Sequence, residues 1–379
     1  MSIRITQIEL SEPLKGLRRL DYQYSHVWAL VRLHGEPLGW LKIENDQLPL
    51  TARQVGEMVA RDHTWPIYEH SLRQAMGEGE GLLEGNQLIP QTFKPVKVQK
   101  NYKPATALVF LPHGADFKHL LSCLQALQKQ DHPDYEILLA CNGSIPNGLN
   151  EIAVKGEVRL ISGSNAFYQA IQQAQGEIIS LTGAMALPDK GWLRGVADAA
   201  DTPRIAAITG PLFPHDMWTQ SQINFQHQAK RPFWFNRYYN YDQLYDLPPE
   251  NFGTPLNASF RRDFLLQQAT DDFFVLDFGL KQMLHLYYQA LKQGYMVGYE
   301  PKALVWERYP EQEAEAHKQV LQESQDRAEL LLMEARWNPR HRKLLLEKFR
   351  ANSATRRTLV HLALKQVQQR LGRSYANRS

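Results

Sequence analysis

Nine consecutive residues, Phe233-Trp234-Phe235-Asn236-Arg237-Tyr238-Tyr239-Asn240-Tyr241, interleave aromatic rings with amides and a guanidinium. Such rings can stack on the apolar C–H faces of sugars, and they serve equally in a packed loop or a partner contact. A second cluster is cationic. From Ala335 onward twelve Lys or Arg face one acid, Glu347, a balance of +11; because the whole chain is +3, the first 334 residues carry −8. Arg336, Arg340, Arg342, Lys343, Lys348, Arg350, Arg356 and Arg357 surround the apolar runs 344–346 and 359–364. A basic amphipathic helix of this kind can lie on an anionic membrane surface, or pack on the body with its charges solvated. Clustered cations also draw nucleic acid by counterion release. No groove-reading motif or RNA-binding signature accompanies them, so nucleic acid is not the expected partner.

Other chemistries fail on spacing. Thirteen histidines show neither His-x-His nor His-Glu-x-x-His, so zinc is not expected. No Gly-x-Ser-x-Gly element supports a serine hydrolase. Cys123 and Cys141 are the only cysteines, too few for a disulfide framework. Cys141 reads as a small buried hydrophobe rather than a nucleophile. The Gly77-Glu78-Gly79-Glu80-Gly81 stretch is not set between a clear strand and helix, so it reads as a turn rather than a phosphate loop. With no run of about 18 apolar residues and no secretory core after Met1, a reducing cytoplasm is the expected setting, with peripheral contact at the inner face of the membrane through the basic tail.

The elements that must position these groups fall into three regions. In residues 1–95, segments 3–10, 27–33 and 39–43 read as strands, with a turn at Gly35-Glu36-Pro37. Thr51 stands at an N-cap ahead of Val55, Met58 and Val59 at helical spacing. This predicts a small α+β module, followed by a linker at 96–103. Residues 104–310 alternate strand and helix: strands at 107–111, 136–141, 158–161, 177–181 and 205–209, helices after 114 and at 166–175. That order predicts an α/β fold, a mostly parallel sheet with flanking helices. Ligands in such sheets bind at the carboxyl ends of strands, which places His113, Cys141 and residues 181–186 on one rim. Residues 311–379 read as a basic helical region, broken at Pro339.

The middle region resembles family 2 glycosyltransferases of the GT-A fold. The resemblance is carried by Cys123-Leu124, Leu127, Gln130-Asp131, Pro133 and Glu136-Ile137 running into Asn142-Gly143-Ser144. It continues through Gly176-Glu177-Ile178-Ile179, Pro188-Asp189, Gly191-Trp192-Leu193, Thr209-Gly210-Pro211, Asn257-Ala258-Ser259-Phe260-Arg261-Arg262, Gly294-Tyr295, Pro301 and Val305-Trp306. What it implies is transfer of a sugar from a nucleotide donor with Mg²⁺ or Mn²⁺. The metal would be held by carboxylates and would stabilise the departing diphosphate, with a further carboxylate as base. By resemblance the nucleotide-sugar positions are Pro112, His113, Cys141, Asn142, Gly183, Ala184 and Met185, and the acceptor-side positions Trp234, Asn257 and Arg261.

Against that family the sequence departs at five separate places. The Asp-x-Asp falls on Gly183-Ala184-Met185, the base-contacting acid on Cys141, and the pair holding the catalytic base on Gln282-Met283. The late histidine falls on Glu307 and an Arg-Asn pair on Phe167-Tyr168. No catalytic or metal-ligating residue is therefore assigned, and no cofactor is expected. Asp271, Asp272 and Asp277 are the carboxylates that a shifted loop could supply, and Asp189 reads as a turn cap. Three readings follow. The first is a pseudo-transferase of glycan or polysaccharide assembly whose partner is a glycan, a nucleotide sugar or an active glycosyltransferase. The second is an active metal-independent glycosyltransferase. The third is a membrane-surface or nucleic-acid binding protein acting through its tail.

Overall fold

The computed structural model describes residues 2–19, 24–78, 102–111, 117–142, 158–229, 234–235, 238–240, 253–268 and 278–334, and the structural statements below concern these. Pro112, His113, Asp271, Asp272, Asp277 and the basic tail beyond 334 lie outside them.

Three strands open the chain: β1 (Ile3–Glu9), β2 (His26–Leu33) and β3 (Glu36–Glu44). β1 runs parallel to β2, and β2 and β3 form a hairpin. The turn falls at His34-Gly35 rather than at Gly35-Glu36-Pro37. Both residues take positive φ, 52° and 78°, as a two-residue hairpin matched to strand twist requires. Pro37 lies inside β3 opposite Arg32, where the register shifts, because a residue without an N–H disrupts the ladder. α1 (Ala52–Glu78) starts after Thr51, whose Oγ1 accepts from the Gln54 N–H while Gln54 Oε1 accepts from the Thr51 N–H, a reciprocal cap. The helix carries on through Gly77 and Glu78, which were read as turn; Gly79 to Gly81 lie outside the described residues.

The large sheet follows: β4 (Ala105–Leu111), β5 (Tyr135–Asn142), β6 (Val158–Gly163), β7 (Ile178–Gly183), β9 (Ile205–Thr209), β11 (Tyr238–Asn240), β12 (Ala258–Arg261) and β13 (Met296–Tyr299). Its order is β11-β13-β9-β12-β7-β4-β5-β6. β4, β5, β6 and β7 pair in parallel, as do β9 and β13. The central strands β7 and β9 are buried along their whole length, as a helix-covered parallel sheet demands, while the edge strand β6 exposes Arg159 and Ser162. β12 breaks the pattern by running antiparallel between β7 and β9. A small sheet of β8 (Ala186–Pro188), β14 (Val305–Glu307) and β10 (Leu212–Pro214) leans on the main one. The helices are α2 (Phe117–Leu127), α3 (Ala166–Gln173), α4 (Trp192–Ala200), α5 (Gln220–Gln228), α6 (Arg262–Gln268), α7 (Leu280–Lys292) and α8 (Glu313–Glu334). This is the mixed α/β fold with a parallel-rich sheet that the alternation predicts. No helix among the described residues is long and apolar enough to cross a membrane.

The opening strands do not stand apart from the sheets. Ile3, Ile5 and Leu30 share one apolar cluster with Phe213, Met217, Trp306 and Tyr309. Trp40 meets Phe213 edge-on at 5.0 Å between ring centres. The cores also hold neutral histidines. His63, on α1, fits its ring over Gly39, where a Cβ would come within 2.5 Å of it, and its Nδ1 is buried without a partner. Burial holds His63 and His132 below the usual imidazole value. The unfolded chain protonates these rings as pH falls through about 6.5, while the folded chain resists until lower pH. Stability is therefore full above pH 6.5 and lost as pH drops below it. Thermal melts between pH 7.5 and 5 are expected to show this decline, and His63→Leu is expected to flatten it.

Candidate functional site

β4, β5 and β7 end side by side at their carboxyl edge: Leu111 lies opposite Cys141, and Phe110 opposite Gly183. This is the rim inferred from the alternation. Cys141 sits in the apolar cluster of Leu111, Leu120 and Leu139 and is buried, as is Cys123, whose thiol burial pushes up to about 12. Neither is placed as a thiolate nucleophile. Asn142 Oδ1 accepts the Ala166 N–H at 3.1 Å and so caps α3 from a neighbouring strand.

The β7–β8 turn carries Gly183, Ala184 and Met185, where the family resemblance puts its metal-binding acids. Ala184 is buried in the core. Gly183 is crowded: a Cβ there would stand 2.8 Å from Leu256 Cδ2 and 3.2 Å from the Phe110 ring, so those side chains would have to shift to admit one. The Arg308 N–H donates to the Met185 carbonyl, tying the turn to the residue after β14. Phe110 belongs to a trio with Phe167 and Phe278. Phe167 and Phe278 stack at 5.1 Å, and Phe110 meets both edge-on at 6.4 and 6.0 Å. Phe167 stands where the resemblance puts an arginine. The rim is thus filled from within by apolar rings in place of polar groups that would face a diphosphate. At this turn the residues do not fit a divalent cation: Gly183, Ala184 and Met185 offer no carboxylate, and the first position is crowded by Leu256 and Phe110. Among the described residues no group of three or more His, Cys, Asp or Glu is arranged to hold a metal.

The base position likewise carries no carboxylate. Gln282 closes the first turn of α7, its Oε1 accepting the Gly279 N–H at 3.2 Å, and Met283 is fully buried. Glu307, at the late-histidine position, is buried in β14 opposite Ala186, and its carbonyl accepts the His215 N–H. Of the acceptor-side residues, Trp234 packs edge-on to Tyr299 at 4.9 Å, and its N–H donates to the Tyr299 hydroxyl. Asn257 is a structural knot. Its Oδ1 accepts from Trp192 Nε1 at 2.9 Å, and its Nδ2 donates to the carbonyls of Ala303 at 2.7 Å and Pro211 at 3.1 Å. Arg261 lays its guanidinium over the carbonyls of Ala200, Thr202 and Ile205, closing the end of α4.

Sequence reasoning read Asp189 as a turn cap, and it does accept the Gly191 N–H at 3.3 Å. Its larger role was missed. Both carboxylate oxygens face Arg32 of β2, at 2.8 and 3.0 Å, and Trp306 Nε1 donates to Oδ2 at 3.4 Å. The residue beside the metal-motif turn is therefore held by the opening strands rather than turned to the rim. Phe110, Leu256 and Phe278 were also missed; the one local signal was an aromatic ring near the end of an otherwise aliphatic strand, Ala105–Leu111.

Residues 113–267 match the family model described as Glycosyl transferase family 2, a stretch from the β4–α2 connection into α6. Among solved structures the chain is similar to "Mannosyltransferase PcManGT from Pyrobaculum calidifontis in complex with GDP-Man and Mn2+", at 15% identity, covering 73% of this chain and 84% of that one with a TM-score of 0.45. It is also similar to "GalNAc-T7 with UDP, GalNAc and Mn2+", at 13% identity, covering 59% of this chain and 48% of that one with a TM-score of 0.42. A search of curated proteins gave no match. Residues 113–267 thus match a family 2 glycosyltransferase model within a mixed α/β fold in which Gly183, Ala184 and Met185 carry no carboxylate.

Proposed function

We propose that the chain is a pseudo-transferase, a GT-A-type scaffold of glycan or polysaccharide assembly that binds a glycan, a nucleotide sugar or an active glycosyltransferase without transferring sugar. One observation carries the reading: Gly183, Ala184 and Met185 bring no carboxylate to the turn where a cation bridging two phosphates would need one, and the Leu256 and Phe110 side chains crowd the first of these positions. The ring trio on the same rim and Met283 at the base position point the same way. Calorimetric titration with a panel of uridine and guanosine diphosphate sugars, with and without Mn²⁺, tests it. Any heat of binding is expected to be the same in both buffers, with no released nucleotide after prolonged incubation. Micromolar binding that depends on Mn²⁺, or turnover, overturns the reading.

A further inference from the structure

A cleft of about 410 Å³ opens on the flank of the molecule, where β1 passes α2 and the β8–α4 connection, within the size range of ligand sites, about 300–1,000 Å³. One wall is Ile5, Thr6 and Gln7; the floor includes Leu187 and Trp306; Lys129 and Lys190 stand at its border. β1 is an edge strand of its sheet among the described residues, so one side of its backbone has no strand partner there. The chain itself begins to cover that side. Ile3 donates its N–H to the Met217 carbonyl at 2.7 Å and accepts the Met217 N–H in return, an antiparallel bridge. Two residues on, the Ile5 N–H donates to the Asp216 carboxylate at 3.2 Å. Beyond that point the flanking chain leaves as β10 to join β14. By the alternation of strand backbone, Gln7 is the next residue whose N–H and carbonyl face outward, and it lines the cleft.

Charge narrows the occupant. Asp189, the acid on the cleft wall, is neutralised by Arg32. Lys129 and Lys190 are exposed, and neither has an ion-pair partner within 4 Å among the described residues; Asp131, the acid on which the Lys190 charge acts, is already bridged by Arg194 at 3.0 Å. What already sits on the β1 edge is an extended segment that presents a carboxylate to a strand N–H. We propose that the cleft takes an extended acidic peptide segment of a partner protein, added antiparallel to β1 as a further strand. The Gln7 backbone pairs with the incoming main chain, and Lys129 and Lys190 meet its carboxylates. This goes beyond the pseudo-transferase reading and does not rest on it.

The test uses the full chain and a fluorescein-labelled, capped peptide alternating Val and Asp over six residues, read by anisotropy at low salt. Saturable binding is expected, at least about tenfold weaker for Lys129→Glu/Lys190→Glu. The same peptide N-methylated on alternate amides, which cannot pair with a strand edge, is expected not to bind. A Val-Lys counterpart is expected not to bind either. No saturable binding at millimolar peptide overturns the proposal, as does equal binding of the N-methylated probe. Displacement of the peptide by an oligomeric uronic acid, with binding of that sugar lost in the lysine variants, would make the cleft an anionic-glycan site and also overturns it. The sugar-nucleotide titration is unaffected by any of these outcomes, so the two readings fail separately.

Discussion

Arg32→Ala is expected to lower the unfolding free energy by about 3–5 kcal/mol, the cost of removing one partner from a buried ion pair. Arg32 and Asp189 are 9% and 11% exposed, so water can do little for whichever charge is left behind. The guanidinium makes five close contacts: two to Asp189, two to the Gly35 carbonyl at 2.7 and 3.1 Å, and one to Gln7 Oε1 at 2.7 Å. It therefore ties β1, the β2–β3 turn and the β8–α4 connection together. Removing it leaves Asp189 with only the Gly191 N–H and a long bond from Trp306. Asp189→Asn is expected to cost less, since an amide there can still accept from Arg32 without the charge. A double change, Arg32→Met with Asp189→Leu, is expected to be milder than the sum of its singles, because neither charge is stranded. Urea unfolding of the parent, Arg32→Ala, Asp189→Asn, the double variant and its two singles, Arg32→Met and Asp189→Leu, measures this. Single variants within about 0.5 kcal/mol of the parent would mean the pair is a surface contact in solution.

How far the chain could be read depends on how local each cause is. The strand–helix alternation of 104–310 is a property of neighbouring residues and makes a mostly parallel sheet legible, but the strand order and the antiparallel β11 and β12 are not contained in it. The four residues Ala258–Arg261 are too few for a periodicity, and nothing in them says they run antiparallel between β7 and β9. The hairpin was misplaced by one residue because Pro37 looks like punctuation, whereas the positive φ values fall on His34 and Gly35. At the site, the missing acids at 183–185 were legible from spacing alone. The reason they cannot simply be put back was not. Phe110, Phe167, Leu256 and Phe278 lie far apart along the chain and meet only when β4 is set beside β7 and α3 covers that end. Likewise Arg32 and Asp189 are 157 residues apart, and no rule of local sequence pairs them. Composition recorded both charges without recording that each is answered.

Rebuilding the acidic motif by Gly183→Asp with Met185→Asp is expected to damage the fold rather than create a metal site. A Cβ at 183 lands 2.8 Å from Leu256 Cδ2 and 3.2 Å from the Phe110 ring, well inside ordinary contact. Overpacking of this kind costs about 1–3 kcal/mol. The added carboxylate would also point into leucine and phenylalanine with nothing to bond, raising the total to roughly 3 kcal/mol or more. Gly183→Ala isolates the steric part and is expected to cost about 1–3 kcal/mol by itself. The obstruction is side chain rather than backbone, so it can be removed. Adding Leu256→Ala and Phe110→Ala to the two aspartates opens the space in which a cation could reach two carboxylates. Thermal melts with and without Mn²⁺ separate the cases: no shift for the aspartate pair alone, and a Mn²⁺-dependent rise only once the rings are cut back. A Mn²⁺-dependent rise with Phe110 and Leu256 intact would mean the turn moves aside readily. Closure by packing would then be the wrong account of why this rim is neutral.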